Sequence, residues 1–542
     1  MARRTPSRRS GSTGAPAGTS ARTPARTPAR TPVRAAAAPA ASAAPAGAAG
    51  VSAAEKLATL LLWLVVLVPP LYFSPSAKES FRLPKLMVAE WLGLASLVPL
   101  AWALRRVETV RWRDLWDLPA LRAALPLAAV ATLGLATSSH PLHVRQALAD
   151  LWIGAACLVG WSAALPAARL ERLLGGLLWP AAVLAGLGIL QFHGVQPLPL
   201  GGVRGARLTI TSLAGNPGDL GAFLVLPCLI AQWRLARGWR RMNEEAASPP
   251  GAGRRREGPR RGRGQLWLVA AFALCAWAMA LTQTFAALAA LLLGSLAFWA
   301  LALAGRRDAG AGAGGGARAG ARWLAAAALA VAVLAAGAAA AAVPAIRARV
   351  IEKVNAVRHG DWNSLLTGRL DGWRAALWML GRHPWAGVGH GAYRAEFAPA
   401  KLALVGSGVA FLSGQQQHFA NAHDEPLEVA ADCGLPGLLA LAWALAVLAM
   451  AVRTRALPPR PEAGSGSSSA EDSRRRDRSE VRGGGGAARW PRHADGAFVA
   501  GGLVALGLLS LVDFPFRIAL VAFPALLFLA WVLRPAAAEA AA

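Results

Sequence analysis

The sequence predicts an all-α polytopic membrane protein, with about twelve transmembrane helices and one large periplasmic loop near the C-terminus. Three observations predict it. The 542 residues are 55% hydrophobic and only 16% charged, with a mean hydropathy of +0.40. Apolar runs recur at the ~20 residues that a helix needs to cross a hydrocarbon core of ~30 Å. Arginine crowds the N-terminal tail and every second loop between those runs, as loops on the cytoplasmic side should.

Taken in order, residues 1–54 are Ala, Pro, Arg, Ser and Thr, with a short Arg-Thr-Pro-Ala repeat. Few large apolar side chains stand there to offset the entropy of ordering, so a disordered basic cytoplasmic tail is expected. The run 57–73 reads as a retained first helix rather than a cleaved signal. Further helices are expected at 83–104, 118–138, 146–166, 173–193, 217–236, 265–283, 285–304 and 323–345. A tight turn at Gln283-Thr284 divides the adjacent pair 265–283 and 285–304. Residues 55–345 thus carry the first nine spans, and 346–434 form the large outward loop. Residues 435–535 carry the last three spans (435–452, 497–513 and 516–534), with a disordered, Gly-, Ser- and Arg-rich cytoplasmic linker at 453–496.

The net charge of +28 invites a nucleic-acid reading, but its placement in alternate loops follows membrane topology instead, and no nucleic-acid partner is expected. Cys157, Cys228 and Cys275 lie inside apolar runs and Cys433 stands alone in its loop. No disulfide framework or CxxC metal spacing results. The outward loops hold no Asp-x-Asp, and the chain has no His-Glu-x-x-His, P-loop or Gly-x-Ser-x-Gly. No metal and no cofactor is therefore called for.

The chemistry-bearing residues concentrate in 346–435, which holds five of the nine histidines: His359, His383, His390, His418 and His423. Because this loop is expected to face away from the cytoplasm, a donor used there must arrive already activated, most naturally on a lipid. Arg369, in Gly-Arg-Leu-Asp-Gly-Trp, shares a helical face with Trp373, and Arg374 lies beside it. The planar guanidinium suits phosphate oxygens; the alternative is snorkelling at the lipid interface, with Trp as a belt residue. Gly387, Gly389 and Gly391 form either a phosphate cradle or a tight re-entry turn. His423 precedes Asp424-Glu425-Pro426, good chemistry for starting a helix, which runs on through Glu428. A neutral imidazole there can take a proton from a hydroxyl, or it can simply pack where the helix begins. Arg204 and Arg207, just before Gly215-Asn216-Pro217, run against the positive-inside bias. Asp513 ends a helix on the same side and can pair with an arginine or position a substrate hydroxyl. Lys85, beside Glu90 in the second helix, is expected to snorkel.

These residues resemble the O-antigen ligase and polymerase superfamily of bacterial membrane glycosyltransferases. The matching elements are Gly368-Arg369 with Trp373, His383-Pro384 with Gly387-Val388-Gly389, and Ala422-His423-Asp424-Glu425 with Leu427-Glu428 and Gly434-Leu435-Pro436-Gly437. Ala214-Gly215-Asn216-Pro217 and the membrane plan match too, over roughly 55–535. The resemblance implies an inverting, metal-independent transfer of a glycan from an undecaprenyl-pyrophosphate carrier to a hydroxyl of lipid A-core or another acceptor, in the bacterial inner membrane. It places the general base on His423 and pyrophosphate binding on Arg369, with Arg207 second. Arg204, Arg374, Asn216, Asp513 and Glu428 complete the candidate substrate-binding set. The chain departs from the family pattern at Asp424, where Asn is common, and at Asp432, where Glu is common. Thr282-Gln283-Thr284 stands where many members carry Ser-Arg, which removes one candidate phosphate-binding arginine. A polymerase of repeat units or a protein O-oligosaccharyltransferase would use the same donor chemistry. The rival from another class is a polysaccharide exporter or transporter, which would show more ionisable groups in mid-helix.

Overall fold

The computed structural model describes residues 53–77, 80–105, 116–196, 210–246, 260–304, 342–411, 419–456 and 493–535, and among these every regular element is a helix. They are α1 (Ala53–Leu71), α2 (Arg82–Arg105), α3 (Pro119–Leu133), α4 (Pro141–Ala164), α5 (Ala167–Gly176), α6 (Leu178–Phe192), α7 (Pro217–Ala246), α8 (Arg260–Thr282) and α9 (Phe285–Ala304). The polar region supplies α10 (Pro344–Arg358), α11 (Trp362–Leu365), α12 (Arg369–Arg382) and α13 (Tyr393–Gly406). Then come α14 (Glu425–Ala456), α15 (His493–Val512) and α16 (Ala519–Val532). Ten helical stretches among the described residues are long and apolar enough to cross a membrane, α5 and α6 counting as one, and α16 is a shorter apolar helix. The span expected at 323–345 lies outside the described residues apart from its last four. So do the tail 1–52, most of the linker 453–496, and the candidates Arg204 and Arg207.

Helix α7 is the centre of the bundle: 89% of its apolar window is buried, against 22–61% for the other spans. Apolar attraction does not drive helices together in lipid, so close packing must. Helices α9 and α15 meet at Gly294 and Gly501, where a Cβ on Gly294 would sit 2.8 Å from the Gly501 carbonyl oxygen. The turn between α8 and α9 is as tight as the sequence suggests. Gln283 takes φ +54, and Thr282 Oγ1 donates to Thr284 Oγ1 at 3.0 Å.

Two ionic locks hold opposite ends of α7. At its start, Arg82 of α2 forks onto Asp219 with two bonds of 2.7 Å. Towards its other end, Arg237 binds both Asp495 (2.7 and 2.8 Å) and Glu171 (2.7 and 3.1 Å) and lies 4.4 Å from the Trp233 ring centroid. Lys85 does not snorkel. It is 2% exposed and donates to Pro69 O (3.2 Å), Pro70 O (2.9 Å) and Tyr72 O. Helix α1 ends there, its last carbonyls lack intrahelical partners, and the ammonium satisfies them from α2.

The polar region 346–434 is largely helical rather than irregular. Helices α12–α14 bury Ala375, Met379, Tyr393, Phe397 and Ala422 against Val144 and Leu148 of α4, forming a second core. This core is closed by the glycine turn. Val388 N donates to Ala431 O and Gly389 N to Asp432 O, both at 2.9 Å. A Cβ on Gly387 (φ +66) would sit 2.3 Å from the Asp432 backbone, and one on Gly391 (φ +80) 2.4 Å from Ala147 Cβ. The amides of Val388 and Gly389 are spent on α14, so the turn packs rather than cradles. Gly387→Ala is expected to lower stability by ~1–3 kcal/mol, through overpacking and a strained φ. Gly381→Ala, in α12 with nothing within 4 Å of its added Cβ, should leave the melting temperature unchanged or raise it. Equal melting of both variants in detergent would contradict this packing role.

Candidate active site

Helix α14 starts as its sequence dictates. Asp424 Oδ1 accepts the Leu427 amide at 2.8 Å as an N-cap, with Glu425, Pro426 and Glu428 in the first turn. Burial, and then the charge of Glu428, hold the Asp424 carboxyl above the ordinary aspartate range, against the pull of that amide. The residue before the cap, His423, adopts φ +58, a left-handed backbone that a β-carbon disfavours by about 1–3 kcal/mol. Several contacts hold it there. Glu428, 2% exposed, accepts Asn421 Nδ2 and the Ala422 amide, both at 2.9 Å. Trp373 Nε1 donates to the His423 carbonyl at 3.4 Å. The imidazole packs at 4.7 Å from the Phe514 ring and 5.6 Å from Phe419.

This posture sets His423 Nδ1 3.5 Å from Asp513 Oδ1, while Nδ1 itself is buried without a hydrogen-bond partner. The imidazole side chain is 24% exposed and the carboxylate 9%. Arg369 feels the same carboxylate: burial lowers its pKa, the Asp513 charge opposes that, and the Arg349 charge adds to it. Arg369 Nη1 donates to Leu366 O at 3.2 Å, but its Nε is buried without a partner. A buried guanidinium N–H left open is the chemistry of an anion seat.

Beneath this group lies Arg517. Its Nη2 stands 3.3 Å from Glu428 Oε1 and 3.2 Å from Asp432 Oδ2. Burial works against its charge, but Glu428, Asp432 and Glu425 outweigh burial and hold its pKa above the ordinary arginine value. Asp432 also accepts the amides of Gly391 (2.6 Å) and Tyr393 (3.1 Å), so one cation ties the glycine turn to the segment bearing His423. His390 stands against Asp432 at 3.6 Å. Burial, and then the Arg517 charge, push its pKa well below the ordinary histidine value.

The structure thus gathers His423, Asp513, Glu428 and Arg369. Glu428 serves by fixing the backbone before His423. Arg374 is committed elsewhere, donating to Ala410 O at 2.6 Å. Asn216 accepts the Gly218 amide at 2.7 Å and so caps α7. Sequence reasoning missed Arg517, Arg82, Asp219 and Arg349. The signal for Arg82 was available: it closes the short segment between the first two expected spans, on the outward side, against the positive-inside bias, as Arg204 and Arg207 do. Arg517 falls at the start of the span expected at 516–534, where a charge is rare and points to a buried partner. Arg82 lies 5.5 Å from the Phe514 ring centroid, so its lock with Asp219 borders the same site.

Fold and site together define an integral membrane protein with a histidine, two carboxylates and two arginines gathered where the polar region meets the helix bundle. A family model described as O-antigen ligase matches residues 270–442, a stretch that includes α9–α13, Arg369 and His423. Over that stretch the chain is similar to the O-antigen ligase superfamily. No curated protein matches the chain.

Proposed function

We propose that the protein is a metal-independent membrane glycosyltransferase that moves a glycan from an undecaprenyl-pyrophosphate carrier to an acceptor hydroxyl, with His423 as general base. The observation that carries this reading is the strained His423, its Nδ1 turned to Asp513 at 3.5 Å. With Asp513 beside Nδ1, Nε2 is the atom that takes the acceptor proton as the acceptor oxygen bonds to the anomeric carbon. The bond from that carbon to the pyrophosphate oxygen breaks, its electron pair leaves with the pyrophosphate, and the anomeric centre inverts. Asp513 stabilises the imidazolium that forms. Arg369, with Arg207 and Arg204 as further candidates, holds the leaving group; preorganised guanidiniums can stabilise that developing charge. The acceptor is a hydroxyl of lipid A-core, with another repeat unit or a protein Ser/Thr as alternatives, and the reaction lies on the periplasmic face of the inner membrane.

The test is the size distribution of carrier-linked glycan in cells bearing wild type or His423→Ala. Long polymer accumulating on the carrier in the variant is the expected result and indicates a ligase. Single repeat units accumulating would indicate a polymerase. An unchanged pool, with the variant present in the membrane, would remove the catalytic histidine and favour an exporter.

A further inference from the structure

Helix α10 is charged and only 15 residues long, yet Val350, Val354 and Val357 form an apolar stripe along it at the spacing of one helix face. Together with Phe285, the first residue of α9, they line a groove of about 290 Å³, near the low end of the ~300–1,000 Å³ usual for ligand pockets. Val354 and Val357 are 42% and 50% exposed. Lys353 and Arg358 also line the groove, so an apolar trough carries cations at its edge. That combination suits a ligand with a hydrocarbon body and an anionic head.

Beside the groove the cations continue. Lys353 donates to Thr367 Oγ1 at 3.1 Å, and Arg349 Nη2 reaches the same oxygen at 3.5 Å. Thr367 and Gly368 are both left-handed, φ +60 and +82, and lead directly into Arg369. The Nε atoms of Arg349 and Arg369 are both buried without a hydrogen-bond partner. Arg349 Nη1 is already paired with both oxygens of Glu352 at 2.5 Å, so its Nε is the N–H left for a ligand. Arg349 reaches Thr367, two residues before Arg369, and two open guanidinium N–H groups so placed suit a shared multivalent anion. His423 stands 3.5 Å from Asp513, the charges of Asp513 and Arg349 both act on Arg369, and Arg349 and Lys353 meet at Thr367 Oγ1 beside the groove.

We propose that the groove along Pro344–Arg358 seats the prenyl chain of a polyprenyl pyrophosphate, and that Arg349 joins Arg369 in holding its phosphates. The donor's identity rests on the transferase reading above; the groove's occupancy is measured separately. Charge favours this occupant over ordinary bilayer lipid. Two open guanidinium N–H groups suit a pyrophosphate, whereas a phospholipid phosphodiester carries a single negative charge.

The experiment uses the full chain in nanodiscs of neutral phospholipid, with a photoreactive polyprenyl pyrophosphate carrying its reactive group on the prenyl chain. The expected cross-links fall on residues 350–357 or Phe285 and are competed by unlabelled polyprenyl pyrophosphate but not by phosphatidylglycerol. Val354→Trp and Val357→Trp fill the groove from exposed positions and should each cut labelling roughly tenfold, equivalent to about two buried methylene groups. Arg349→Gln should weaken labelling without moving it. Cross-links elsewhere, labelling unchanged in both tryptophan variants while they melt as wild type, or equal competition by phosphatidylglycerol would each overturn the proposal. Groove labelling without glycan transfer from the same carrier would support the groove and remove the transferase reading. Transfer without groove labelling would overturn the groove alone.

Discussion

Replacing Arg517 by leucine is expected to unfold the polar helical region while leaving the membrane spans inserted. Asp432 is 0% and Glu428 2% exposed, and Arg517 is the cation that both carboxylates meet, at 3.2 and 3.3 Å. Removing one partner of a buried ionic group leaves uncompensated charge and costs about 3–5 kcal/mol. The loss would spread, because Asp432 holds the Gly391 and Tyr393 amides and Glu428 holds Asn421 and Ala422. Arg517→Lys should recover part of the stability, since it keeps the charge but loses the planar fork. Limited proteolysis of the purified variants reads this directly: rapid cleavage near 359–368 is expected for leucine, slower cleavage for lysine. A leucine variant as resistant as wild type would show that the carboxylates do not depend on this cation.

Replacing His423 by alanine should lower transfer by roughly 10²- to 10⁴-fold, the usual contribution of a positioned general base. The effect belongs in kcat, because the imidazole is assigned to the acceptor proton and not to the donor phosphates. Asp513→Asn removes the charge that stabilises the imidazolium while keeping the shape, so it should also lower kcat, and by less. Arg369→Gln should instead lower both donor affinity and turnover, since a leaving pyrophosphate is held in ground state and transition state alike. A His423→Ala enzyme with wild-type kcat would show that the left-handed backbone at His423 serves packing alone.

The membrane helices were legible because an apolar run of ~20 residues has few other fates, and the Gln283-Thr284 turn because the polar pair interrupts one. His423, Asp513, Glu428 and Arg369 were legible as polar residues massed near helix ends. Their division of labour was not. That Glu428 fixes a backbone, or that Arg374 serves a carbonyl in the following segment, depends on partners brought together only by folding. The glycine turn is a sharper instance: Gly387, Gly389 and Gly391 would read alike as a phosphate cradle or as close packing. The Asp432 backbone, 2.3 Å from a Cβ at Gly387, decides for packing. Lys85 escaped for a related reason. Near a helix end a lysine can snorkel, and only the position of the last carbonyls of α1 shows that it turns inward. The match over 270–442 falls on the stretch where these motifs cluster, including His423 and Arg369.

The central claim, that this protein transfers a glycan, is tested most directly by reconstituting the full chain in proteoliposomes with a defined polyprenyl-pyrophosphate glycan and a hydroxyl acceptor. The account predicts glycan joined to acceptor and free polyprenyl pyrophosphate released one for one by wild type, both suppressed in His423→Ala. Glycan carried across the bilayer still attached to its lipid, or a folded wild-type protein that releases no polyprenyl pyrophosphate, would contradict it.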